Sequence, residues 1–140
     1  MKLAFAPMLA ALFLATAPMA VHAAEEKVVY HVNDSANARA AMRNVQNHLN
    51  AAPDAKIAVV THGKGIDFLL NDAKDDKGEG YDAQVAGLVA KGVSFRVCNN
   101  TLKARKLDAS AVNPEATIVP SGVAEIGKLQ AQEGYVYLKP

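Results

Sequence analysis

Cysteine is almost absent from this sequence, which contains a single copy, Cys98, among 140 residues. A disulfide framework needs pairs of cysteines, so the fold must depend on its hydrophobic core. Aromatic residues make up only 6% of the chain and tryptophan is missing, which argues against a surface that stacks nucleic-acid bases. The formal net charge is +1, too small an excess to attract nucleic acid or an acidic partner. No nucleic-acid partner is therefore predicted.

The one long hydrophobic run of the sequence is at its N-terminus. Lys2 supplies a positive charge, residues 3–20 are apolar, and Ala23 ends a short segment suited to cleavage. We therefore expect residues 1–23 to be an export signal and residues 24–140 to form a single domain, periplasmic or otherwise exported. An uncleaved transmembrane helix is the alternative, but two prolines interrupt the run. No later segment is apolar enough to span a bilayer, so no membrane contact is predicted after cleavage.

Apolar β patterns alternate with helical patterns along the rest of the chain. The predicted strands are residues 27–32, 56–62, 92–98, 116–119 and 135–138. The predicted helices are residues 36–50, 66–70, 81–91, 99–107 and 123–132. This alternation is typical of an α/β fold, with about five mainly parallel strands flanked by helices. Residues 71–80 are polar and predict a solvated, mobile loop.

Parallel sheets place their ligand sites at the carboxyl ends of the strands. Cys98 ends the third predicted strand, so it belongs to that edge. The other residues predicted to line a site there are Asn33, His62, Gly63, Gly65, Asn99, Ser121 and Gly122.

Cys98 is the leading candidate for chemistry because it lies directly before a predicted short helix. The thiolate is the reactive form of cysteine, and the helix dipole and nearby cations such as Arg96 would favour it. With no second cysteine, disulfide exchange within one chain is excluded, whereas acceptance of a sulfur atom or oxidation is not. The alternative is a buried, inert thiol that packs as a small hydrophobic side chain.

The histidines and Ser121 are the next candidates for chemistry. His62 is a candidate base for a thiol or a ligand for an anion, and the alternative is a local hydrogen bond that shapes its turn. Ser121 has helix N-capping as its alternative role. His31 and His48 are predicted to be structural, and no metal site is expected. The chain also lacks the glycine patterns of phosphate and dinucleotide sites, so no cofactor is predicted.

Several motifs, taken together, resemble the DsrE/DsrF-like family, and within it the small exported members. The segments that carry the resemblance are residues 28–32, 47–50, 62–70, 92–102, 119–126, 129–130 and 133–137. The resemblance implies a flavodoxin-like layered fold and homo-oligomers, as trimers or hexamers. In the sulfur-transferring members, a cysteine after the third main strand carries a persulfide to a partner, and Cys98 matches that cysteine by position. Those members act in the cytoplasm beside partner subunits, from which export would separate this chain.

Three hypotheses for function follow. In the first, Cys98 handles sulfur as a persulfide or serves a thiol-redox role, exchanging with a donor or acceptor protein; the chain is then a carrier, not an independent hydrolase or dehydrogenase. In the second, the same edge binds a small anionic ligand without covalent chemistry, through His62, the amides of residues 63–65 and Ser121. In the third, the chain is an assembly subunit with Cys98 packed at an interface.

Overall fold

The computed structural model describes residues 25–140 and contains one sheet of five strands, in which all neighbours run parallel. The strands are β1 (Lys27–Asp34), β2 (Lys56–Lys64), β3 (Ser94–Cys98), β4 (Ala116–Val119) and β5 (Val136–Leu138), in the spatial order β4-β3-β2-β1-β5. The helices are α1 (Ala38–Ala51), α2 (Asp82–Val89), α3 (Asn99–Ala104) and α4 (Gly122–Glu133). The predicted fold class is confirmed. The predicted export signal lies outside the described residues.

Most predicted elements agree with the structure, with small differences at their ends. The helix predicted over residues 66–70 is only a 3-10 turn, Asp67–Leu69. Two more such turns occur, Ser35–Asn37 before α1 and Ala109–Ala111 before β4. Within residues 25–140, no helix is long and apolar enough to cross a membrane.

The two faces of the sheet bury two separate apolar clusters, because successive side chains of a strand point to opposite faces. The larger cluster includes Val59, Phe95 and Val97 of the sheet and is covered by α1 and α2. The smaller one packs Val29, Ala58 and Val60 against Ile126 and Leu129 of α4. The alternation therefore places His31, His62 and Cys98 on the face that α4 covers.

The polar loop of residues 71–80 is mostly exposed, yet it is anchored to α1 by Arg39. The Arg39 guanidinium donates to the Asp75 carboxylate at 2.9 Å and to the Gly80 carbonyl at 2.9 Å. It also lies 4.2 Å from the centre of the Tyr81 ring, a cation–π contact. One half-buried arginine thus joins the loop to the helix, a contact that the sequence pattern did not indicate.

Gly65 lies where the chain leaving β2 passes the end of β1. A Cβ atom at this position would lie 2.0 Å from the Val32 carbonyl oxygen and 2.8 Å from the Asn33 Cα. These are backbone atoms of a central strand, so no side chain can move aside. We expect Gly65→Ala to lower the free energy of unfolding in urea by about 3 kcal/mol.

Gly127→Ala is the matched control, because a Cβ at Gly127 in α4 meets no atom within 4 Å. Alanine forms helix better than glycine, so this variant should gain up to about 1 kcal/mol. Equal stability of the two variants would contradict the close approach at Gly65.

Candidate functional site

The Cys98 thiol lies beneath the start of α4. Cys98 is only 5% exposed and is the last residue of β3. A Cβ atom placed on Gly122, the first residue of α4, would lie 3.2 Å from the Cys98 Cβ and 3.2 Å from the His62 Cβ. It would also lie 3.0 Å from the Thr61 carbonyl oxygen. Glycine is therefore needed here so that the helix can approach the sheet between Cys98 and His62.

The surroundings of the sulfur favour its thiolate form. Burial alone raises the pKa of the Cys98 thiol, but the Gly122 amide and the Thr101 hydroxyl and amide lower it. The Asn100 amide donates to the Pro120 carbonyl at 3.3 Å. The net result is a pKa below the ordinary value for cysteine. These donors are fixed by α3 and α4, so they favour the anion without having to rearrange.

Thr101 is a site residue that the sequence analysis missed. Its Oγ1 accepts a hydrogen bond from the Gly63 amide at 3.0 Å, which leaves the hydroxyl proton free to be donated to the sulfur. Thr101 therefore connects the thiol to the loop after β2. The signal was present in the spacing, since the third residue of a helix faces the residue that precedes the helix, here Cys98.

The predicted role of nearby cations is not what the structure shows. The Arg96 side chain forms an ion pair with Glu125 of α4, and Arg105 forms one with Asp67. Both guanidinium groups are thus engaged by carboxylates, and the groups that lower the pKa of Cys98 are amides and a hydroxyl. The expectation that a nearby cation such as Arg96 stabilises the thiolate is wrong, since Arg96 is held by Glu125.

His62 contacts a second histidine that was predicted to be structural. The His62 Nε2 lies 2.7 Å from the His31 Nε2, and the His31 Nδ1 lies 2.7 Å from the Tyr137 hydroxyl. Burial, with smaller contributions from His62 and Lys139, lowers the pKa of His31. This chain of hydrogen bonds joins β2, β1 and β5 at the carboxyl edge of the sheet.

His48 lies apart from this pair. Its Nδ1 lies 3.0 Å from the buried Tyr30 hydroxyl and its Nε2 lies 2.7 Å from Glu26 Oε1. The pKa of Tyr30 is raised by burial, with a smaller contribution from Glu26. His48 thus satisfies a buried polar group.

The other predicted site residues lie at different distances from the thiol and have different roles. Ser121 caps α4, since its hydroxyl accepts from the Ala124 amide at 3.4 Å. Gly63 belongs to the Cys98 site because its amide donates to the Thr101 hydroxyl. Its φ is positive, at 57°. Asn99 is half-buried at the start of α3, beside Cys98, whereas Asn33 is exposed at the end of β1.

An open groove adjoins the buried thiol through Thr101. It has a volume of about 700 Å³ and is lined by Gly63, Lys64, Asp67, Thr101, Ala104 and Arg105. Within residues 25–140 there is no group of three or more His, Cys, Asp or Glu side chains arranged to hold a metal ion. The arrangement therefore places a polarised thiol next to Thr101, which lines the open groove.

The rate of Cys98 alkylation by iodoacetamide should report its lowered pKa. We expect the rate to reach half its maximum at a pH below 9.0, the ordinary thiol value, because the thiolate reacts and the thiol does not. Thr101→Val removes a donor to the anion and should move this midpoint to higher pH. Thr117→Val, an exposed threonine on β4, is the matched control and should leave it unchanged. An unshifted midpoint in Thr101→Val would exclude the hydroxyl as a stabilising group.

Comparison with solved structures supports the fold. A protein of unknown function, MTH1491 from Methanobacterium thermoautotrophicum, is 29% identical, with 83% of this chain and 100% of that chain covered at a TM-score of 0.74. The ychN protein from E. coli is 13% identical, with 82% and 99% covered at a TM-score of 0.69. The protein of unknown function BT1422 from Bacteroides thetaiotaomicron is 13% identical, with 82% and 95% covered at a TM-score of 0.61.

No curated protein sequence matches this chain. A family model does match, and it covers residues 16–140. That span contains all five strands and the whole Cys98 site. The chain therefore belongs to the DsrE/DsrF-like family.

Proposed function

We propose that the protein carries sulfur on Cys98 as a persulfide and passes it to an acceptor thiol. Membership of a family associated with sulfur relay supports this proposal. The observation that carries it is the thiol itself, which is buried yet has a pKa lowered by the Gly122 amide and by Thr101. A structural cysteine has no need of such donors, because a neutral thiol packs as a small hydrophobic group.

The transfer needs no oxidant or reductant beyond the two sulfur partners. The Cys98 thiolate attacks the outer sulfur of a persulfide donor, a new S–S bond forms, and the donor leaves as a thiolate with the bonding electron pair. In the second step an acceptor thiolate attacks the outer sulfur on Cys98, and the Cys98 thiolate is the leaving group. The amide and hydroxyl donors favour the anionic sulfur, and a lower pKa also makes Cys98 leave faster.

The groove beside Thr101 is the route by which a donor or acceptor would approach. Lys64 lines it together with the Arg105–Asp67 ion pair, so the lining carries one net positive charge, suited to an anionic sulfur species. The same groove supports a second candidate function, the binding of a small anionic ligand without a covalent step. The two functions differ in whether they require the sulfur of Cys98.

The test is intact mass spectrometry of the protein, purified without reductant and incubated with glutathione persulfide. We expect addition of one sulfur atom that a reducing agent removes and that Cys98→Ser does not acquire. Thr101→Val keeps the thiol and should load more slowly at neutral pH, because less thiolate is present. A thiol that stays unmodified would contradict the carrier function and favour ligand binding in the groove.

The same spectrum, recorded on protein from the exported fraction, tests our proposal that residues 1–23 are removed. A mass that starts at Ala24 is expected. An intact Met1 would contradict cleavage.

We also propose that the protein is a homo-oligomer that covers the β5 edge. Val136 is 65% exposed and Leu138 is 40% exposed on a strand that pairs only with β1 among the strands of residues 25–140. An exposed apolar edge strand favours pairing with another chain. Light scattering should show an assembly that Val136→Glu with Leu138→Glu disrupts, whereas Thr117→Glu on the opposite edge strand should not. Loss of assembly only in Thr117→Glu would place the interface at β4 instead.

A further inference from the structure

The facing histidines of β1 and β2 are a second polar centre on the face covered by α4. The His31 and His62 rings have centroids 4.8 Å apart, and their Nε2 atoms are 2.7 Å apart. The two Nε2 atoms therefore lie between the rings, and the ring edges that carry them face each other. Both residues are only partly buried, so solvent reaches the pair.

At a separation of 2.7 Å, one proton lies between these two nitrogens. Each neutral imidazole has one donor and one acceptor nitrogen, so a contact of 2.7 Å requires that one Nε2 donates to the other. If both imidazoles carry their protons on Nδ1 instead, both Nε2 lone pairs are free and face each other, and a cation can take the place of the shared proton.

Tyr137 supplies the partner that this second arrangement requires. Its hydroxyl lies 2.7 Å from the His31 Nδ1 and can accept the proton placed there. Metal-binding histidines in proteins are usually oriented in this way, by a hydrogen bond from the other ring nitrogen to a fixed acceptor. The orienting contact is provided by β5, the strand that follows α4.

We propose that His31 and His62 form a two-histidine site for a divalent first-row cation such as Zn²⁺, with Tyr137 as the residue that orients His31. Imidazole nitrogen is a preferred ligand for Zn²⁺. Two Zn–N bonds of about 2.0–2.1 Å at a tetrahedral angle place the nitrogens about 3.3 Å apart, so the rings need to separate by about 0.6 Å and each needs to tilt by about 35° toward the ion. Water completes the coordination from the solvent side.

One neighbouring charge opposes a cation at this site. Lys139, two residues after Tyr137, is close enough for its ammonium to act on His31. Its repulsion and the presence of only two protein ligands make the site weaker than a closed structural zinc centre. Removal of this charge in Lys139→Gln should tighten Zn²⁺ binding.

Zn²⁺ affinity can be measured on the full chain by competition with a chromophoric chelator. We expect one ion per chain, and binding at least about tenfold weaker in His31→Gln and in His62→Gln. His48→Gln is the matched control and should bind as the wild type does, because His48 contacts Tyr30 and Glu26 instead. Mg²⁺ should not compete, since it prefers oxygen ligands.

Two further variants test whether the ion binds at the histidines or at the thiol, and whether a loss of binding reflects misfolding. Cys98→Ser should keep Zn²⁺ binding, and loss of binding in that variant would assign the ion to the thiol and overturn the proposal. Tyr137→Phe changes a partly exposed side chain and should weaken binding about tenfold.

Unchanged affinity in both histidine variants would also overturn the proposal. This outcome is independent of persulfide loading on Cys98, so either proposal can fail alone.

Ring-nitrogen NMR provides a readout that a merely structural histidine pair would not show. In the metal-free protein one of the two rings carries its proton on Nε2. With Zn²⁺ added, both rings should carry it on Nδ1, and His48 should not change. Spectra of His31 and His62 that stay the same on saturation with Zn²⁺ would contradict a site at this pair.

Discussion

The close approach of α4 to the sheet at Gly122 is the constraint on which the rest of the site depends. With no side chain at that position, the helix begins between Cys98 and His62 and within contact distance of the Thr61 carbonyl. This approach buries the thiol and at the same time supplies an amide to its sulfur. Burial and activation of the sulfur are thus consequences of the same contact, although burial by itself opposes the anion.

The carboxyl edge of the sheet contains two chemically distinct groups on one face. Around Cys98, amides and a hydroxyl favour negative charge on sulfur. Around His31 and His62, two imidazoles meet head-on and Tyr137 fixes one of them. Arg96 does not link the two groups, since it pairs with Glu125.

Local signals in the sequence were sufficient for the elements and for the place of the thiol. Strand β2 was predicted from a continuous apolar run, the alternative capping role of Ser121 from its place before a helix, and Cys98 from its place between a strand and a helix. The errors have a common cause, because they concern partners distant in sequence. Arg96 was assigned to the thiol from proximity along the strand, but its partner Glu125 is on α4. Similarly, the Arg39 contacts with the polar loop join residues more than thirty positions apart.

By itself, the sequence determined the α/β class, the parallel direction of the strands, and the edge of the sheet at which Cys98 and His62 lie. These follow from periodicity and turn chemistry, which act over a few residues. Only the tertiary structure decided that Thr101 also reaches Gly63, and that His31 meets His62 and Tyr137. The reason is geometric, because such contacts require a particular strand order and register. These are set by the pairing of β5 with β1 and by the packing of α4 on β1 and β2.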